Sequence, residues 1–216
     1  MDSPMRIRRY APALLLTGLV GLGCGGETRA AAPKETARAV FAGGCFWCME
    51  PPFEKIHGVA SVTSGYTGGQ TRNPTYEQVS AGVTGHAESV EIVYDPAKVT
   101  YEQLLDVFWH NIDPLAANAQ FCDHGTQYRS AIYYLDETQK KLAEESKRRI
   151  EESKQFGKAI QTQVVAASTF YRAEDYHQDF YKKNPVRYYS YRAGCGRDRR
   201  LQELWGKEAG HGGGDR

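Results

Sequence analysis

Two cysteines three residues apart, Cys45 and Cys48, are the side chains of this sequence best suited to chemistry. Cys45 follows Gly43-Gly44 and precedes Phe46-Trp47, so it falls where the short apolar run 39–42 gives way to a helical turn. A thiol there faces unpaired backbone N–H groups and the positive end of a helix dipole, which favour the thiolate. An ordinary thiol, with a pKa of about 8.5, is only a few per cent ionised at neutral pH; lowering it to about 7 raises the thiolate fraction more than tenfold. The expectation is a nucleophilic Cys45 with a depressed pKa, which the paired glycines let a substrate approach. Cys24, Cys122 and Cys195 complete the set, too few and too scattered for a disulfide scaffold in a domain of this size. The Cys-x-x-Cys spacing also admits a thioredoxin-like dithiol. A structural zinc site from Cys45, Cys48, His86 and Cys122 lacks a second cysteine knuckle, and Met49 stands where haem attachment requires histidine.

These residues need a scaffold, and the periodicities supply one. Residues 39–42 read as a strand, 46–49 as a helical turn that Pro51-Pro52 must kink or restart, and 59–66 as a second strand. Residues 67–74 (TGGQTRNP) are turn formers, with a short helix from Tyr76. Residues 87–94 alternate with a period of two, a half-buried strand. Thr100 and Gln103 form a capping box ahead of an amphipathic helix, whereas 111–127 carries no periodicity, as functional loops often do. A strand at 130–135, a charged helix at 137–156, a strand at 160–167 and a helix at 173–183 follow. Beyond Tyr189 no period is visible. The fold class expected is an α+β, two-layer, ferredoxin-like sandwich with a mixed sheet and an irregular C-terminal tail.

The chain has 216 residues and a formal net charge of +1, with 12% aromatic residues and no long run of like charge, which argues against disorder and against nucleic acid as a partner. Arg6, Arg8 and Arg9 followed by the apolar stretch 11–22 make residues 1–23 a signal peptide, too short in its apolar part to stay as a spanning helix. Small residues before Cys24 match a lipoprotein signal except for Gly21, where leucine is usual; lipid on Cys24 and ordinary cleavage near residues 30–32 both remain open. Residues 24–37 read as a flexible linker, 38–206 as the catalytic domain and 207–216 as a disordered tail. An exported protein, periplasmic or lipid-anchored at the envelope, is expected.

The run Gly44-Cys45-Phe46-Trp47-Cys48-Met49-Glu50 resembles the nucleophile signature of A-type peptide methionine-S-sulfoxide reductases. Gly65-Tyr66-Thr67-Gly68-Gly69, Asn73-Pro74-Thr75-Tyr76, Gly85-His86-Ala87-Glu88 and Asp123-His124-Gly125-Thr126-Gln127-Tyr128-Arg129-Ser130 match that family in order, so the resemblance covers roughly residues 38 to 190. It implies Cys45 as the attacking thiolate, Glu88 as the acid that protonates the sulfoxide oxygen, Tyr76 and Tyr128 as donors to that oxygen, and Asp123 as an orienting group. Phe46 and Trp47 would wall the pocket for the substrate methyl group, while His86 and His124 are read as structural. After methionine leaves, a Cys45 sulfenic acid must condense with a second thiol. The family usually draws that thiol from a glycine-rich tail, which points to Cys195 in Ala193-Gly194-Cys195-Gly196, with Cys48 as the alternative. Two departures stand out: Cys48 replaces a common glycine, and the tail offers one cysteine where many relatives carry two. Cys122 is read as a buried structural cysteine. The resemblance further implies no metal or organic cofactor, substrates from free methionine sulfoxide to oxidised peptides and proteins, a thioredoxin-like reductant, membrane contact only through a lipid on Cys24, and a monomer.

Overall fold

The computed structural model describes residues 35–211. The leader segment, Cys24, residues 24–34 of the linker and residues 212–216 of the tail lie outside the described residues. Among those described, no helix is long and apolar enough to cross a membrane.

The chain opens with β1 (Ala37–Gly43), α1 (Phe46–Glu54), β2 (Val59–Thr67), α2 (Tyr76–Ser80), β3 (Ala87–Tyr94) and α3 (Tyr101–Trp109). A small hairpin of β4 (Ala119–Gln120) and β5 (Asp123–His124) precedes β6 (Ser130–Tyr134), α4 (Glu137–Glu152), β7 (Gln163–Ala166) and β8 (Tyr171–Arg172). Three helices close the chain: α5 (Phe180–Lys183), α6 (Pro185–Gly194) and α7 (Arg197–Trp205). The main sheet runs β7-β6-β1-β3-β2-β8; β6 and β7 pair in parallel and the other neighbours are antiparallel. The order β6-β1-β3-β2 threaded as β-α-β-β-α-β is the ferredoxin-like arrangement, here widened by one strand on each edge.

β1 is central because both of its faces are apolar. Ala39 and Phe41 turn toward the helices, where Phe41 packs on Phe53 of α1 and Phe108 of α3 with ring centres 5.6 and 5.0 Å away. Val40 and Ala42 turn the other way and pack with Ala87, Ala131 and Tyr133 beneath Ala167 and Phe170. The expected capping box of α3 is present: Gln103 N–H bonds Thr100 Oγ1, and Gln103 Oε1 accepts from Thr100 N–H.

Two local expectations are corrected. Pro51 and Pro52 do not restart α1, which runs as one helix from Phe46 to Glu54. Seven of its nine residues are buried, and that packing outweighs the two lost backbone donors. The C-terminal tail is not irregular, since α6 and α7 occupy it, while residues 173–179 form turns rather than the expected helix. Pro185 stands in the first turn of α6, and Gly196, at φ +67°, turns the chain between the helices. α6 buries little except Tyr188, whereas α7 carries a short apolar stripe of Leu201, Leu204 and Trp205 that the sequence reading passed over.

Candidate active site

β1 delivers Cys45. Gly44 turns the chain at φ +81°, and a side chain there would meet Gln120 at 2.5 Å, so glycine is required on both counts. Cys45 then caps α1, with 6% of its surface still open. The neighbouring strand β3 presents Glu88, 2% exposed, whose Oε2 accepts the Phe46 N–H at 3.1 Å. The first free amide of α1 is thus taken by a carboxyl rather than by sulfur. Cys45 therefore does not gain the lowered pKa expected from the helix terminus. Burial pushes its thiol well above the usual value, and contact with Cys48 and the charge of Glu88 act in the same direction.

Burial also acts on Glu88. Desolvation pushes its pKa up to about 8, the charges of Asp123 and Cys48 push the same way, and the Phe46 N–H opposes them. Glu88 is therefore neutral at pH 7 and holds a proton to give. The proton of Cys45 points at Cys48, and that bond brings Cys48 down to about 6 with help from Arg197 and Arg192, against burial. Cys45 and Cys48 share one proton, with the negative charge on the Cys48 side, where the guanidinium groups are.

Tyr76 and Tyr128 stand within electrostatic reach of both Glu88 and Cys45, and burial raises both phenols, so they remain donors at any working pH. Tyr76 is fixed because its N–H donates to Glu174 Oε1 at 2.9 Å, directly after the Thr75 cap of α2. Asp123, half-buried on β5, accepts a short hydrogen bond from Tyr191 of α6, whose oxygen also faces the Cys45 sulfur. Trp47 is half-buried and stacks on Phe180 at 3.7 Å, whereas Phe46 is 1% exposed and packs between Tyr66 and His177. The Trp47 indole N–H donates to His177 Nδ1 at 3.0 Å, which puts the proton of neutral His177 on Nε2. Desolvation brings His177 down to about 4, so the ring is neutral at pH 7.

Cys195 is bonded to Cys122. Cys122 is therefore not the buried structural thiol expected: it is exposed, on the β4–β5 hairpin, and disulfide-linked. His86 is structural as expected, with Nδ1 accepting from Gly69 N–H and Nε2 on the Thr71 carbonyl. With both ring nitrogens engaged and Cys122 bonded elsewhere, the zinc set of Cys45, Cys48, His86 and Cys122 does not assemble. Tyr191, His177, Glu174, Arg192 and Arg197 escaped the sequence reading. The only signal was Tyr191 lying one helical turn before Cys195, which becomes visible once α6 is known to be a helix.

A cysteine pair beside a buried neutral carboxyl, on a ferredoxin-like sheet, defines a thiol-dependent oxidoreductase. Residues 37–209 match the family of peptide methionine sulfoxide reductases. The chain is 52% identical over 170 residues to the peptide methionine sulfoxide reductase MsrA of Bacillus licheniformis (79% of this chain, 94% of that one) and 53% identical over 168 residues to that of Bacillus subtilis (78% and 95%). Its fold is similar to that of methionine sulfoxide reductase A of Corynebacterium diphtheriae, with a TM-score of 0.68 at 34% identity over 72% of this chain and 78% of that one. The chain belongs to the peptide methionine sulfoxide reductase family. It is an A-type member, a peptide-methionine (S)-S-oxide reductase. The thioredoxin-like alternative for Cys45 and Cys48 is not favoured, because the family match runs the length of the fold.

Proposed function

We propose that Cys45 supplies the attacking sulfur and Glu88 the proton. A sulfoxide sulfur is electrophilic, but its oxygen leaves poorly until protonated, so attack and proton donation must occur together. The Cys45 sulfur bonds the sulfoxide sulfur as its own proton passes to Cys48. Glu88 protonates the oxygen, with Tyr76 and Tyr128 donating to it as charge develops. The protonated oxygen then passes from the substrate sulfur to the Cys45 sulfur as the bond between the two sulfurs breaks, which leaves Cys45 as a sulfenic acid and methionine as the thioether. Trp47 gives the open aromatic face for the substrate methyl group, and Phe46 backs it from the core. Asp123 orients Tyr191, and through it the reacting sulfur. The observation that carries this reading is the buried Glu88 carboxyl, neutral up to about pH 8 and hydrogen-bonded to the amide that follows Cys45.

The electrons return from an external dithiol of the thioredoxin-like kind, and the protein acts as a monomer without a bound organic cofactor or metal. The basic start and apolar stretch of residues 1–23 support export, to the periplasm or to the envelope through a lipid on Cys24. Residues 38–206 form the catalytic domain.

Methionine release in a single turnover, followed against pH, tests the assignment. Glu88 must be protonated to act, so the rate should fall as pH rises through about 8. Glu88→Gln should remove that limb and slow release by about 10²–10⁴-fold. Cys45→Ser should release none. Measurable release by Cys45→Ser, or an unchanged pH limb in Glu88→Gln, overturns it.

A further inference from the structure

Cys48 is built as more than a filler of the core. It is 1% exposed, stands in the first turn of α1 three residues after Cys45, and receives the hydrogen bond of the Cys45 thiol. Helix positions three apart lie roughly 5–6 Å from each other, within the span a disulfide bridges. Arg192 bonds the hydroxyl of Tyr188, which packs with Cys48, and Arg197 bonds the sulfur of Met49, the next residue, so both cations stand near the Cys48 sulfur and lower its pKa. An inert buried cysteine needs no cations, whereas a reacting thiolate does.

A second pair lies across Tyr191. Cys195 follows Tyr191 by one turn, with its N–H on the Tyr191 carbonyl at 2.9 Å, and the Tyr191 hydroxyl donates to Asp123 while its oxygen faces the Cys45 sulfur. The sulfurs of Cys122 and Cys195 and a carboxylate oxygen of Asp123 lie within 4.8 Å of one another. One pair of cysteines is buried and reduced, and the other is oxidised with Cys122 exposed.

We propose that Cys48 resolves the Cys45 sulfenic acid and that the Cys122–Cys195 pair carries the oxidation from the site to the surface. This rests on Cys45 being the nucleophile. The Cys48 sulfur attacks the Cys45 sulfur; the S–S bond forms, the S–O bond breaks, and the oxygen leaves as water with the proton that Cys48 received from Cys45. With Cys122 and Cys195 reduced, the Cys195 thiolate attacks the Cys45 sulfur and expels Cys48, whose thiolate the two arginines stabilise as a leaving group. The Cys122 thiolate then attacks Cys195 and frees Cys45. Two electrons have passed from Cys122 and Cys195 to Cys45 and Cys48, which leaves the arrangement seen in the structure. Gly194 and Gly196 flank Cys195, and a side chain added at Gly194 would touch nothing, so the segment has room to move once the bond to Cys122 opens. An external dithiol finishes the cycle by attacking the exposed Cys122 sulfur and becoming a disulfide itself.

The test uses reduced Cys122→Ser/Cys195→Ser protein, methionine S-sulfoxide, no reductant, and a 1,3-diketone that traps sulfenic acids. About one methionine per chain should be released, peptide mass mapping should find Cys45 bonded to Cys48, and little diketone should be incorporated. Wild-type protein with the Cys122–Cys195 bond intact should give the same result without any substitution. Cys48→Ser should accumulate diketone-labelled Cys45 and lose at least about tenfold in steady-state turnover with a thioredoxin-type dithiol. Methionine release with Cys45 left as a trapped sulfenic acid in the first two samples overturns the relay alone, as does Cys48→Ser turning over at the wild-type rate. No methionine release from any sample with Cys45 present overturns both the relay and the nucleophile assignment.

Discussion

Glu88 is useful to the reaction because it is expensive to the fold. Its folded pKa of about 8 lies above the unfolded carboxyl value, so the native state binds a proton that the unfolded state gives up. Stability is therefore highest below the unfolded pKa and declines as pH rises through the window from about 4.5 to about 8. Glu88→Gln keeps an oxygen for the Phe46 N–H and removes the ionisation. The variant should be more stable than wild type by on the order of 3 kcal/mol near pH 7, although much slower in methionine release. The gain should vanish near pH 4. Melting curves at the two pH values check this, and an equal melting temperature at neutral pH would mean that Glu88 is ionised in the native protein. The same site shows how far residue types alone can be read. Cys45 and Glu88 were identifiable from motif and strand alternation, but the direction of the Cys45 pKa was not. It depends on which group takes the Phe46 N–H, and Glu88 lies forty-two residues further along the chain.

Among the elements, the five longer strands and the capped helix α3 announced themselves, because alternation, the Thr100-x-x-Gln103 box and paired glycines are local signals, whereas the two-residue strands β4, β5 and β8 gave none. α7 was passed over although Leu201, Leu204 and Trp205 mark its inner face, which begins with a charged residue. Arg197 is 2% exposed; its Nη2 donates to the carbonyls of Asn111 at 2.7 Å and Gly43 at 3.3 Å, and its guanidinium lies over the Phe121 ring at 4.4 Å. One side chain thus docks the start of α7 against the end of β1 and supplies positive charge to Cys48. Arg197→Met would leave two buried carbonyls without that donor and remove the charge, costing about 3 kcal/mol. The Cys48 thiolate, now titrating near 6, should then form at a distinctly higher pH, read from thiolate absorbance. Arg197→Lys should restore much of the low titration without restoring all of the stability, which separates the charge from the packing. An unmoved titration in Arg197→Met would show that Arg197 only holds the helix in place.

In the molecule as a whole, the site is assembled from distant stretches: β1 and α1 bring Cys45, β3 brings Glu88, the β4–β5 hairpin brings Asp123, and α6 brings Tyr191. The sheet fixes the first two, whereas the last two are fastened together by the Cys122–Cys195 bond, across a sequence separation of 73. No spacing rule could have paired those cysteines, since pairing follows from where α6 packs. Closing a loop of that length in the unfolded chain is worth about 4 kcal/mol by the chain-entropy argument. Reduction, or Cys122→Ser, should lower the melting temperature accordingly. Hydrogen exchange should quicken mainly in α6 and in α5, on which it packs through Tyr188, while β1 and β3 keep their protection. Equal exchange in both redox states would show that α6 is held by its own packing and that Cys195 cannot move toward Cys45. If exchange does quicken, the fully reduced protein is the form with the loosest tail. The oxidation that ends each cycle would then be what clamps the tail again, until an external dithiol opens it.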